Sequence, residues 1–276
     1  MRIAVALVVV TAAAAGFACV GQNLTPQPAP TPMLPECTPN NDGTIAADQL
    51  PVALGATLDF YTTSAGQTRT VDLAGSGSAN VWDLSGNTGD GVVAIGPVAL
   101  EDQWYASQFP SSQFVLAASY GSDGLDGVYH QDDQALWLDG TASHDENPPS
   151  GKTLIAYATP VALLRFPITD GDTYTTMAPL PAAEIDGLPF IGADTFEVDV
   201  SGAGQLELPD VDFAPVLRVR TSLTRAPSAG SPVISTRTID FLFQCFGEIA
   251  HAESEPDDPD PDFTTAALLE RYALGQ

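Results

Sequence analysis

Apolar and polar residues alternate with a period of two along several stretches of the chain, and this alternation predicts β-strands. Over residues 195–201, Phe196, Val198 and Val200 fall on one side while Glu197, Asp199 and Ser201 fall on the other. From 216 to 224, Leu217, Val219, Thr221 and Leu223 alternate with Arg218, Arg220, Ser222 and Thr224. Over 239–245, Ile239, Phe241, Phe243 and Cys245 share one side. Successive strand side chains point to opposite faces, so each stretch has one face for a core and one for water.

Shorter strand candidates lie at 54–62, 67–74, 79–85, 92–99, 113–119, 134–139, 153–159 and 172–177. Asp90-Gly91, Asp123-Gly124, Asp139-Gly140, Asp170-Gly171 and Asp186-Gly187 punctuate them. Asp and Gly both tolerate the positive φ of tight hairpin turns. Roughly a dozen strands, with no amphipathic helix before residue 262, predict an all-β fold. The expected architecture is an antiparallel β-sandwich or a barrel-like curved sheet, with 37–252 as a single β domain. Residues 253–262, ESEPDDPDPD, read as an acidic, Pro-rich linker that is extended and solvated. Residues 263–276 carry Leu268, Leu269, Tyr272 and Leu274 behind Thr264 or Thr265 as a cap, which predicts a short C-terminal helix.

The N-terminus follows a different pattern. Met1-Arg2 precedes an unbroken run of apolar or small residues from Ile3 to Ala15. A membrane-spanning helix needs roughly 20 apolar residues; the run is shorter and matches the apolar core of a signal peptide, about 7–15 residues. Gly16-Phe17-Ala18 then lead into Cys19, so 1–18 read as the signal. A cysteine directly after small residues resembles the lipobox of bacterial lipoproteins, in which the cysteine becomes the lipidated N-terminus. Gly16 stands where leucine is usual, and ordinary cleavage near Ala18 is the alternative. Residues 19–36 are rich in Pro, Gln and Thr, favour extended conformations and serve as a tether. The expected location is extracytoplasmic, in a bacterial cell envelope, with attachment to the outer membrane through the lipid. Val20-Gly21 lack the Asp that retains many lipoproteins in an inner membrane.

Charge narrows the partners. The chain has 35 acidic and 9 basic residues, a net charge of −26, so nucleic acid is not an expected partner. Three cysteines are present, Cys19, Cys37 and Cys245. With Cys19 lipidated, parity pairs Cys37 with Cys245 in a disulfide, which export permits.

Trp82-Asp83-Leu84-Ser85-Gly86, Phe109-Pro110, Arg165-Phe166-Pro167 with Gly171-Asp172, and Gly202-x-Gly204-x-Leu206-x-Leu208-Pro209 running on to Phe213 and Val216-Leu217-Arg218-Val219 form a recurring pattern. It resembles that of uncharacterised exported β-rich proteins and lipoproteins of Bacteroidetes and myxobacteria, over about residues 75–245. The resemblance implies an exported β-rich protein and no particular activity. Physically, the later segment reads as two strands joined at Pro209-Asp210, with glycines easing a close approach.

Candidate chemistry is sparse. Asn40-Asn41-Asp42-Gly43-Thr44-Ile45 matches the middle of an EF-hand calcium loop, with Asn40 and Asp42 as ligands. Thr38 and Gln49 then occupy the loop's first and last ligand positions, which require carboxylates, so a turn closed by Asx hydrogen bonds is the expectation. Asp123, Asp126, Asp132 and Asp133 surround His130 and read as a solvated hairpin tip. His130, His144 and His251 have no metal-site spacing, so no metal or other cofactor is expected. Trp82, Trp104 and Trp137 are candidate ligand-facing aromatics, for stacking on a sugar or lining an apolar pocket. No nucleophile elbow or triad spacing marks an enzyme. The expected role is non-enzymatic binding or envelope structure. A pocket for a glycan or apolar ligand is one alternative, and an extracellular hydrolase using acidic residues is another.

Overall fold

The computed structural model describes residues 36–77, 80–86, 90–118, 124–229 and 233–275. The signal segment, Cys19 and the tether up to Pro35 lie outside the described residues. The first strands are β1 (Thr44–Ile45), β2 (Leu58–Thr62), β3 (Arg69–Thr70), β4 (Val81–Asp83), β5 (Gly91–Ile95) and β6 (Val98–Ala99). Next come β7 (Phe114–Ala118), β8 (Leu125–Gln131), β9 (Ala135–Ser143), β10 (Leu154–Arg165), β11 (Ile168–Thr169) and β12 (Thr173–Ile185). The last are β13 (Leu188–Glu207), β14 (Asp212–Pro227), β15 (Ile234–Phe243), β16 (Gly247–Ser254) and β17 (Thr265–Tyr272). The helical elements among the described residues are short 3-10 turns at Ala47–Gln49, Leu100–Asp102 and Ala106–Gln108.

The fold is all-β. One sheet of 15 strands runs in the order β5-β2-β17-β16-β15-β14-β13-β12-β10-β9-β8-β7-β6, with β3 added beside β17 and β4 beside β13. The pairings are antiparallel except β4 with β13, and β1 and β11 form a separate pair. The two ends of the order, β5 and β6, are separated in the chain only by Gly96 and Pro97. The sheet therefore curls round until its edges meet, without hydrogen bonds closing it into a barrel.

The three alternating stretches form the middle of this sheet, where both faces are covered. On one face, Phe196 and Leu223 pack with Phe114, Leu138 and Tyr157 from β7, β9 and β10. Beside them Val198, Val200, Leu217, Val219 and Leu242 pack under β1 and β11. Because these clusters join strands far apart in the order, β7 with β14 among them, this is the inner face. On the outer face Ile239, Phe241 and Val216 pack with Val71, Leu73, Trp82 and Leu84 from the early segment, and with Phe263. Asp186 and Gly187 take positive φ and turn β12 into β13, as the sequence predicts.

Two close contacts account for conspicuous glycines. A Cβ on Gly204 would lie 2.0 Å from the Asn80 carbonyl oxygen and 2.7 Å from the Trp82 ring, so only glycine lets β4 lie alongside β13. A Cβ on Gly140 would lie 2.0 Å from the Ile155 carbonyl oxygen. Asp139-Gly140 is accordingly part of β9 and not a turn; its glycine serves strand approach rather than positive φ.

The predicted C-terminal helix is strand β17, which lies inside the sheet between β16 and β2. Its buried positions Leu269, Arg271 and Ala273 alternate, and the charged Arg271 among them hides the period of two. The guanidinium of Arg271 is taken up by the carbonyls of Leu84 and Gly86 and by Asp90. Of the stretch read as a solvated linker, 255–257 and 259–261 are exposed, while its two ends are held. Glu253 and Ser254 end β16 and are buried, and Asp262 accepts hydrogen bonds from Arg218 and Arg220. The β domain thus continues past 252 through β17.

Cys37 and Cys245 are disulfide-bonded, with Cα atoms 5.5 Å apart and a sequence separation of 208. Closing so long a loop in the unfolded chain stabilises the fold by roughly 5 kcal/mol on the chain-entropy account.

Candidate functional site

The inner faces of β15, β16 and β17 carry charge where the neighbouring strands carry apolar side chains. Register sets this up. Asp240 lies directly opposite His251, and His251 directly opposite Glu270, so the three side chains form a row across the sheet on one face. A bulge then leaves Ile249 without a partner, since Phe241 pairs with Ala250 and Leu242 with Glu248. The extra residue turns Glu248 onto the same face as the row.

The result is a compact cluster. His251 Nδ1 lies 2.5 Å from Asp240 Oδ1. One donor atom from each of Asp240, Glu248 and His251 lies within 4.8 Å of the other two. His251 is 5% exposed, and its Nε2 is buried without a hydrogen-bond partner. Glu248 is the exposed member of the three, and Asp240 is half-buried.

Electrostatics follow from this crowding. Burial alone would push the His251 imidazole down, but the carboxylates of Asp240, Glu248 and Glu270 outweigh it and hold the ring well above its ordinary value, at about 10. Burial, with the charges of Asp240 and Glu270, raises Glu248 to about 8, while His251 pulls the other way. Glu270 is raised for the same reasons, burial first and then Asp240. Tyr129 on β8 reports the same field from across the curl: burial raises its hydroxyl first, and Glu248, Asp240 and Asp126 add to the shift.

The sequence-predicted candidates lie elsewhere and do not converge. Trp82 is 1% exposed, sits edge-on to Phe241 at 5.2 Å and has no surface to offer a ligand. Trp104 is half-buried, donates its indole N–H to the Ser143 carbonyl and lies under the Lys152 ammonium. Trp137 stacks on His130 with ring centroids 5.9 Å apart. The EF-hand-like loop is a closed Asx turn. Asp42 accepts from the Thr44 amide and hydroxyl, and the Asp42 amide donates to Asn40 Oδ1. The Gln244 side chain fills the loop, accepting from the amides of Asn40 and Asn41 and donating to Asn40 Oδ1 and the Thr44 carbonyl. Oxygens that a calcium ion would need are thereby engaged with Gln244.

The acidic stretch around His130 is not a solvated tip throughout. Asp126 is buried and accepts from the Tyr105 hydroxyl at 2.6 Å, with His144 Nδ1 at 3.1 Å. Asp132 instead caps a turn, accepting from the amides of Gln134 and Ala135. Ser112, Asp139 and His130 do meet, but with the carboxylate in the middle. Ser112 donates to Asp139 Oδ2 at 2.7 Å, and His130 Nδ1 lies 2.8 Å from the same oxygen. A hydrolytic triad needs the imidazole between serine and carboxylate, so this arrangement does not activate Ser112.

A cavity of about 80 Å³ lies on the inner face between Leu138, Tyr157, Phe196, Leu223, Arg225 and Thr236. Ligand pockets for drug-sized molecules measure about 300–1,000 Å³, so this one holds water-sized guests. Two residues of its wall hold a buried carboxylate: Asp194, with no exposed surface, accepts from Arg225 Nε and Nη2 and from the Tyr157 hydroxyl.

No protein-family model, curated protein or solved structure matches this chain.

Sequence reasoning treated His251 as isolated and did not single out Asp240, Glu248 or Glu270. One signal was available. Asp240 interrupts the apolar run of β15 between Ile239 and Phe241, in a strand whose other face is already buried. A charge at an inward position of such a strand needs a partner across the sheet.

Proposed function

We propose that this chain is an exported cell-envelope protein, anchored at a bacterial membrane by lipid on Cys19, whose β domain binds or scaffolds and does not catalyse. The Cys37–Cys245 pairing carries the export reading, because disulfides form and persist in oxidising compartments. The apolar run ending at Ala18-Cys19 and the Pro-rich tether support it from the sequence. The carboxylate-centred order of Ser112, Asp139 and His130 favours the non-enzymatic reading.

The deciding experiment is the intact mass of the mature protein recovered from its native host. A chain beginning at Cys19 and carrying a diacylglycerol and an acyl group is the expected result. An unmodified chain beginning near Cys19 would replace the lipoprotein reading with soluble export, and an uncleaved chain with reduced cysteines would end both. Turnover of polymeric glycan or peptide by the pure protein would overturn the non-enzymatic assignment.

A further inference from the structure

The row of charges on β15, β16 and β17 is an unusual thing to build into the inner face of a sheet. Carboxylates from Asp240, Glu248 and Glu270 converge on a single imidazole. The buried Asp194, by contrast, is matched by the Arg225 guanidinium and the Tyr157 hydroxyl. Here three acidic groups share one basic group, and the basic group is itself under-satisfied: Nδ1 of His251 meets Asp240, while Nε2 is buried with no partner. Buried polar atoms in native proteins are almost always partnered, and an exception calls for an unmet ligand or ion.

We propose that Asp240, Glu248 and His251 form a binding site for a single divalent first-row transition metal, one that holds Zn²⁺ more tightly than Mn²⁺ or Ca²⁺. Their donor atoms already lie within 4.8 Å of one another. Donors on one ion at about 2.0–2.2 Å sit roughly 3–4 Å apart, so small side-chain rotations suffice. A mixed nitrogen and oxygen set favours Zn²⁺ over Mn²⁺ by the general order of complex stability, and the imidazole disfavours Ca²⁺, which takes oxygen ligands. Two positive charges would balance the surplus carboxylates, to which Glu270 contributes from the adjoining strand. The exposed side of Glu248 gives the ion and its remaining water ligands a way in.

The test uses the full chain, stripped with EDTA, dialysed and titrated calorimetrically with ZnCl₂, MnCl₂ and CaCl₂. One equivalent of Zn²⁺ should bind, more tightly than Mn²⁺, with Ca²⁺ weakest. Glu248→Gln and His251→Gln should each weaken Zn²⁺ binding by about 100-fold. Asp132→Asn, in the turn beside β9, should leave it unchanged. Because a variant can lose the ion by misfolding, the unaltered protein loaded with Mn²⁺ supplies a second readout: electron spin-echo modulation from an imidazole nitrogen bound to the ion. Absence of stoichiometric Zn²⁺ binding by the folded protein, binding untouched by both substitutions, or absence of the nitrogen modulation would each overturn the proposal.

Discussion

Replacing Arg225 by leucine should be among the most damaging single changes in this fold. Asp194 has no exposed surface, and two of its hydrogen bonds, at 2.8 and 2.7 Å, come from the Arg225 guanidinium. The Tyr157 hydroxyl supplies a third at 2.7 Å. With Arg225→Leu the carboxylate stays buried with one neutral donor, and breaking a buried pair in this way costs about 3–5 kcal/mol. A protein of this size loses about 2.5 kcal/mol of stability per molar urea, so the unfolding midpoint should fall by about 1–2 M, followed by tryptophan fluorescence. Removing every partner together, in Tyr157→Phe/Asp194→Leu/Arg225→Leu, leaves no stranded charge. That variant should recover most of the loss and unfold within about 1.5 kcal/mol of the parent. A loss below about 1 kcal/mol for Arg225→Leu would mean that water reaches Asp194 through the adjoining cavity and screens it. A triple variant no more stable than the single one would refute the stranded-charge account altogether.

Other outcomes follow from close packing and burial. Gly204→Ala should destabilise by about 1–3 kcal/mol in the same urea assay, because its Cβ would meet the Asn80 carbonyl and the Trp82 ring; unchanged stability would show that β4 does not lie against β13. Tyr174 is raised to about 12, chiefly by burial, and it donates to the Leu163 carbonyl. An acid whose folded pKa is raised stabilises the fold below its unfolded pKa, about 10 for tyrosine, and loses that contribution as pH rises towards the folded value. Tyr174→Phe should therefore flatten the loss of stability between pH 10 and about 12, by less than about 2 kcal/mol since the ring is partly open to solvent. It should also remove a late step from the absorbance titration at 295 nm, and a titration identical to the parent's would refute the assignment.

Much of the sheet was legible in the sequence because β13 and β14 place apolar side chains at alternate positions on the inner face, and β15 does so on the outer face. Phe196, Val198, Leu217 and Val219 carry that signal, and all are buried. The strands that sequence reasoning missed are the ones that bury polar groups. β16 reads GEIAHAES, and its inward positions include His251 and Glu253; β8 reads LDGVYHQ and buries Asp126. β17 was taken for a helix because Arg271 occupies a buried position, where its charge breaks the apolar period. Buried charge is costly and is retained only where pairing or function sustains it. The same residues that concealed these strands therefore supply the candidate site. The charge row itself depends on register and on the bulge at Ile249, neither of which a single strand's sequence reveals.

The bond between Cys37 and Cys245 also decides how the domain carries a mechanical load. Tension applied to the segment before Cys37 reaches the end of β15 through a sulfur bridge. Residues 38–244 form a closed covalent ring and cannot be drawn out by that pull. Among the described residues β16 and β17 lie beyond the bridge, so a pull from that side loads these two strands first, and through β17 the pairings with β2 and β3.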